Sequence, residues 1–308
     1  MIHRVFGLIA CTLALTSCSA PNKPATFILT EAPWADRAGG TVLTSDHWRI
    51  ATTVPDSDRR KLIASTLESA FDAYRSFVPS TPEHDKPLSA FIFIKRSEWA
   101  KFTSENTPEE SAKLYLQIVR GGYAHDDFFV AYDFAALDTL TVIAHEGWHV
   151  FARRYFKRPL PPFLEEGIAA SFESVSIEGD HASVSTERTN ASLKRRLADV
   201  IAKDQLMSLS DALKLSASSL LDRGVSPEAF YAQGWALVRF FRVGEDNRYR
   251  EPFAQMLADR VTGIGPTAAI DDPVKLLESF TDQSIIELDK QYQAFVRKIT
   301  RENASTSW

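Results

Sequence analysis

His145-Glu146-Gly147-Trp148-His149 places two imidazoles four residues apart with a carboxylate beside the first. On an α-helix, residues i and i+4 stand one above the other, so both rings can reach one point with Glu146 next to it. Two imidazoles and a carboxylate form a donor set that zinc takes at hydrolytic sites, where a fourth position stays open for water. Seventeen residues beyond His149 stands Glu166, in the segment Phe163-Leu164-Glu165-Glu166-Gly167-Ile168-Ala169. Neighbours on a helix point about 100° apart, so only one of Glu165 and Glu166 can face an ion, and the residue pattern alone leaves both open. Zinc lowers the pKa of bound water to about 7, and Glu146 is placed to take that water's proton and later give it to a departing nitrogen. Peptide or amide hydrolysis is the chemistry this set suggests. The bland alternative is a pair of core histidines or a noncatalytic metal clip.

For this to work, the motif must lie mid-helix. A helix with Asp138 as N-cap fits, running to about Phe156 and ended by Arg153, Arg154, Lys157 and Arg158 near its negative pole, then by Pro159, Pro161 and Pro162. Pro162 suits the first turn of a second helix, and two antiparallel helices joined by this short loop would bring the ligands together. Before them, Ser45 to Thr53 alternates like a strand. Asp56 to Phe77 carries Leu62, Ile63, Leu67, Ala70, Phe71 and Tyr74 on one helical face, Pro87 to Ile94 suits a strand and Arg96 to Ser104 a short helix. Leu114 to Val119 and Phe128 to Tyr132 are two further strand candidates, forming a hairpin across the turn-rich Gly121 to Asp127. After Glu178 the polar stretch Gly179 to Thr189 suits a surface loop. Helical patterns follow over Ala191 to Ala202, Ser208 to Leu215, Pro227 to Arg242, Tyr249 to Val261, Val274 to Ser279 and Ser284 to Lys298, before a frayed tail from Arg301.

With 308 residues, 44% of them apolar, the chain is long enough for a real core. Arg4, the apolar stretch Val5 to Leu15 and then Leu15-Thr16-Ser17-Cys18 form a bacterial lipoprotein leader pattern. The expected layout is residues 1–17 as signal peptide, 18–40 as a tether containing Pro21, Pro24 and Pro33, 41–135 as an N-terminal α/β part, and 136–308 as the metal-site helices with a helical remainder. Cleavage before Cys18 makes that residue the lipidated N-terminus and removes Cys11. No free thiol then remains for a disulfide or for cysteine catalysis. Loss of Arg4 moves the formal net charge from -5 to -6, which gives no reason to expect nucleic acid as a partner. A plain secretory signal cleaved near Ala20 is the competing reading, and either one exports the protein.

Phe163-Leu164-Glu165-Glu166-Gly167-Ile168-Ala169 resembles the Trp-Leu-x-Glu-Gly-x-Ala segment of the gluzincin metallopeptidases, especially their aminopeptidase-like branch. The resemblance puts the third metal ligand at Glu166 and leaves Glu165 as a solvated charge in the first turn. It implies a zincin-like α+β fold, with a small N-terminal sheet packed on the metal helices, and a Zn2+ cofactor. In Phe230-Tyr231-Ala232-Gln233-Gly234-Trp235 it makes Tyr231 the counterpart of a tyrosine that donates to the developing oxyanion, although the pattern alone fits a core aromatic equally well. It also implies an exposed strand that pairs with substrate backbone, for which Phe128 to Tyr132 has the right place in the order of elements. Gly121-Gly122-Tyr123-Ala124 stands where aminopeptidases carry Gly-x-Met-Glu-Asn; the Met-Glu-Asn part is absent, so no glutamate is identified to hold a free amino terminus. The similarity extends from about Gly121 to Leu237, and the chain looks like a group of largely uncharacterised bacterial lipoproteins and secreted proteins with a peptidase-like domain. Ser19, in place of an acidic residue after Cys18, implies the outer membrane by resemblance to lipoproteins of two-membrane bacteria. Glu173 and Asp138 are candidates for orienting the imidazoles. The leading expectation is thus a membrane-anchored zinc peptidase acting on peptide or protein substrates with Glu146 as general base. Its rival is an inactive zincin-fold lipoprotein that serves as a binding or scaffold protein.

Overall fold

The computed structural model describes residues 27–301 apart from 79, 84, 85, 120, 134, 217, 218, 221 and 222, so the expected leader, Cys18 and residues 302–308 lie outside the described residues. A six-stranded mixed sheet has the order β1 (Thr30–Pro33), β2 (Thr41–Thr44), β3 (Trp48–Thr52), β4 (Leu88–Phe93), β6 (Phe128–Tyr132) and β5 (Gly122–His125). Strand β2 runs antiparallel to both β1 and β3; β3, β4 and β6 run parallel, and β5 returns antiparallel along β6 as the edge. Successive strand residues point to opposite faces. Ile50, Ile92, Phe129 and Ala131 therefore join the larger core with α1 (Ser57–Phe77) and α4 (Ala136–Tyr155), while Phe93, Val130, Tyr123 and Tyr132 pack with α2 (Arg96–Asn106) and α3 (Glu109–Tyr115). The expected strand, helix, strand opening is present as β3, α1 and β4, with Asp56 capping α1 by accepting from the Arg59 backbone N–H.

Pro162 opens α5 (Pro162–Ser171), as its fixed φ favours. The helical remainder comprises α6 (Ala191–Ala202), α7 (Leu209–Ala212), α8 (Pro227–Val243), α9 (Arg250–Thr262), α10 (Pro273–Thr281) and α11 (Ile285–Arg301). The class is therefore α+β. Helices α5 and α8 touch backbone to backbone: a Cβ built on Gly167 would lie 2.2 Å from the Gly234 carbonyl oxygen. Among the described residues, no helix is long and apolar enough to cross a membrane.

Several expectations need correction. Leu114 to Val119 forms no strand: Pro108 and the acidic first turn of Glu109 and Glu110 start α3, which runs through Tyr115. The strand that pairs with β6 comes from the supposed turn, since Gly122 to His125 is β5 and only Asp126 and Asp127 are left to connect it. The N-cap of α4 is Ala135, with Asp138 inside the first turn. Part of the supposed tether is β1, and Trp34 just after it is buried; an edge strand tolerates Pro33 because its N–H is not needed by the ladder. Gly179 to Thr189 is not simply a loop. It contains β8 (His181–Val184), paired with β7 (Val175–Glu178), and the Ser65 and Ser69 hydroxyls of α1 accept the Ala182 and Val184 N–H groups at 2.9 Å.

Candidate metal centre

Helix α4 carries His145 and His149 one turn apart, and α5 brings Glu166 across to them. The two Nε2 atoms lie 3.3 Å apart, and Glu166 Oε2 is 3.3 Å from that of His145 and 3.5 Å from that of His149. A tetrahedral ion with bonds of about 2.0–2.1 Å separates neighbouring ligand atoms by about 3.3–3.4 Å, so this triangle already has the size such an ion requires. Each side chain keeps between 10% and 15% of its surface exposed, which leaves the centre reachable from solvent. His145, His149 and Glu166 thus form a group that could hold a metal ion.

What aims the rings is a second layer of carboxylates. His145 Nδ1 donates to Glu173 and His149 Nδ1 donates to Glu165, each at 2.9 Å. A carboxylate only accepts, so each Nδ1 carries its hydrogen, and in the neutral ring the Nε2 lone pair would face the shared centre. Glu165 is therefore not the solvated charge expected of it. The step of about 100° that separates it from Glu166 sends it to Nδ1 of His149 rather than to Nε2. Glu173 lies where the sequence suggested, whereas Asp138 sits in the first turn of α4, about two turns before His145.

The electrostatics of the cluster call for positive charge. Burial alone would lower the His149 pKa, yet Glu166 and Glu165 raise it to about 10. Burial likewise opposes protonation of His145, and its hydrogen bonds to Glu166 and Glu173 prevail and hold the pKa well above the ordinary value. The two imidazoles overcome the effect of burial on Glu166 and hold its carboxyl far below the usual carboxylate range. A cation at the centre of the three donors satisfies the same demand without protons.

Glu146 packs against the sheet edge. A Cβ at Gly122 would lie 3.0 Å from Glu146 Cγ and 2.7 Å from the Val130 carbonyl oxygen, so only glycine lets β5 approach α4 this closely. Burial pushes the Glu146 carboxyl upward, and its neighbour Glu166 adds to this against the two histidines. From α8 the Tyr231 ring stands edge-on to His145, with centroids 5.9 Å apart. Burial and the surrounding glutamates raise the Tyr231 pKa well above its ordinary value, so its hydroxyl keeps its proton and remains a donor. The strand beside Glu146 is β5, and β6, the candidate from the sequence, lies inside the sheet between β4 and β5. As the edge, β5 turns one row of backbone donors and acceptors away from β6. No protein-family model matches this chain, and no curated protein matches it.

Proposed function

We propose that the chain is a zinc-dependent peptidase of the gluzincin type on a zincin-like fold, exported and held by a lipid on Cys18 at the periplasmic side of the outer membrane. The observation that carries the reading is the 3.3, 3.3 and 3.5 Å triangle of two imidazole nitrogens and one carboxylate oxygen. That donor set suits zinc, with Glu165 and Glu173 as the groups that orient the ligand rings. When bound, the ion supplies Lewis acidity, polarising the substrate carbonyl and acidifying water. Glu146 takes a proton from the attacking water as its oxygen adds to the carbonyl carbon, and passes it to the nitrogen as the C–N bond breaks. Tyr231 donates a hydrogen bond to the oxygen that becomes negative in between.

The test is Glu146→Gln in the purified, zinc-loaded protein. Zinc content and thermal stability should stay at parent levels, while hydrolysis of a peptide library falls by about 10²- to 10⁴-fold. A parent protein that binds zinc stoichiometrically and cleaves nothing in the library would establish the scaffold alternative. A Glu146→Gln variant as active as the parent would remove Glu146 from the mechanism.

A further inference from the structure

Arg153 is a charged group near the cleft that the proposed chemistry does not use. It lies on α4 four residues beyond His149 and seven beyond Glu146, so all three share one side of the helix. Its side chain is exposed, whereas the adjacent Arg154 donates to the Lys86 carbonyl at 3.2 Å. Among the described residues, no carboxylate forms an ion pair with Arg153. Asp126, at the end of β5, lies 3.5 Å from His125 Nε2 instead.

The edge strand and the helix offer matching lengths. Seven helical residues span about 10 Å, and the three steps from Gly122 to His125 also cover about 10 Å. At one end Glu146 packs on Gly122. At the other, the Tyr115 hydroxyl is 3.3 Å from His125 Nδ1, and the positive charge of Arg153 acts on that same phenol, opposing the burial that raises its pKa. The charge of Arg153 thus reaches both Tyr115, which meets His125 at the far end of β5, and Glu146, which packs at its start.

We infer that Arg153 is a specificity residue that binds a carboxylate on the peptide substrate, about 10 Å from the scissile bond, which is about three residues of an extended peptide. The inference rests on the peptidase reading. A guanidinium offers a carboxylate two parallel N–H donors, a match that a neutral side chain cannot make. The carboxylate can belong to an aspartate or glutamate side chain or to the peptide's own C-terminus.

Short amidated neutral peptides, the same peptides with one glutamate walked through each position, and the neutral peptides with a free C-terminus separate these sources. Two readouts apply: kcat/KM with the zinc-loaded parent, and affinity by fluorescence anisotropy with Glu146→Gln, which binds without turnover. A carboxylate at one fixed distance from the cleaved bond should raise kcat/KM about tenfold, mainly through KM, and tighten binding to the same extent. Arg153→Gln should erase that gain, so that acidic and neutral peptides are cleaved alike, and Arg153→Lys should restore part of it. Preference for an internal glutamate assigns the contact to a side chain; preference for the free end alone assigns it to the C-terminus. Equal cleavage of neutral and acidic peptides, or a preference that survives in Arg153→Gln, overturns the inference and leaves the peptidase reading standing. Failure of every peptide both to bind and to be cleaved overturns the two together.

Discussion

His47 and His145 each donate Nδ1–H to a glutamate, at 2.6 Å to Glu68 and 2.9 Å to Glu173, yet the two pairs do different work. Around the His47 side chain the partners come from the β2–β3 turn and from α1. Glu68 also accepts the Ser45 hydroxyl at 2.6 Å and the His47 backbone N–H at 2.9 Å, and the imidazole stacks on Phe71 at 3.9 Å. That arrangement pins the turn between β2 and β3 to α1. At His145 the same hydrogen bond serves to aim the other nitrogen, which faces His149 Nε2 and Glu166 Oε2. A histidine–carboxylate pair could join a metal site only when other elements deliver further donors to the same point, and here α4 and α5 bring His149 and Glu166 to it.

Removing the convergence without touching a ligand would break the comparison most severely. Gly167 follows Glu166 and meets Gly234 of α8, where an added Cβ would come within 2.2 Å of the carbonyl oxygen and 2.4 Å of its carbon. Backbone cannot give way as a side-chain tip can, so Gly167→Ala must push α5 and α8 apart. The cost should be about 3 kcal/mol in stability, with zinc affinity falling beyond about 100-fold as Glu166 and Tyr231 leave their places. Thermal denaturation and chelator competition measure the two effects. Parent-like zinc affinity in this variant would mean that the triangle does not depend on the contact between α5 and α8.

A sharper contrast comes from one substitution made in each pair. Glu173→Gln removes the negative charge that orients and strengthens His145 as a ligand, and zinc affinity should fall about 10- to 100-fold. Glu68→Gln makes the same chemical change at the other pair, and its zinc affinity should equal that of the parent while its melting temperature falls. Equal zinc affinity in both variants would show that Glu173, like Glu68, serves only the fold.

The helices around the centre were legible because their signals are local. His145 and His149 share the helical period with the apolar face of α4, and Pro162 marks the start of α5 within a few residues of the end of α4. Misreadings arose where distant parts decide. Leu114, Leu116 and Ile118 alternate as a strand would, but Pro108 and two glutamates fix a helix ahead of them, and Gly122, which looks like a turn residue, is needed where β5 meets Glu146. Strand β8 is four residues long and holds to serines 115 and 117 positions away on α1, which no local pattern announces. Glu165 shows no sign in its own neighbourhood of a partner on α4. Its signal is indirect: if Glu166 faces the ion, the residue one helical step away must face something else. Arg153 was legible only as part of a basic helix end, and what sets it apart from Arg154 is the company of β5.

The smallest effect separates the pairs by pH. Hydrogen bonding to Glu68 raises the His47 pKa against the effect of burial, and the charges of Glu68, Asp72 and Asp46 add to the rise. The native value thus exceeds the unfolded one, about 6.5, so the protonated pair stabilises the fold fully below about pH 6.5 and ceases to do so as pH climbs through the raised native value. His47→Gln should therefore lower the melting temperature by a few degrees near pH 6 and by less near pH 9. With a third of the His47 side chain exposed, solvent screens the interaction, and added salt should narrow the gap at the lower pH further. A gap between parent and variant that stays constant from about pH 6 to pH 9 would show that stacking on Phe71, rather than charge, accounts for His47.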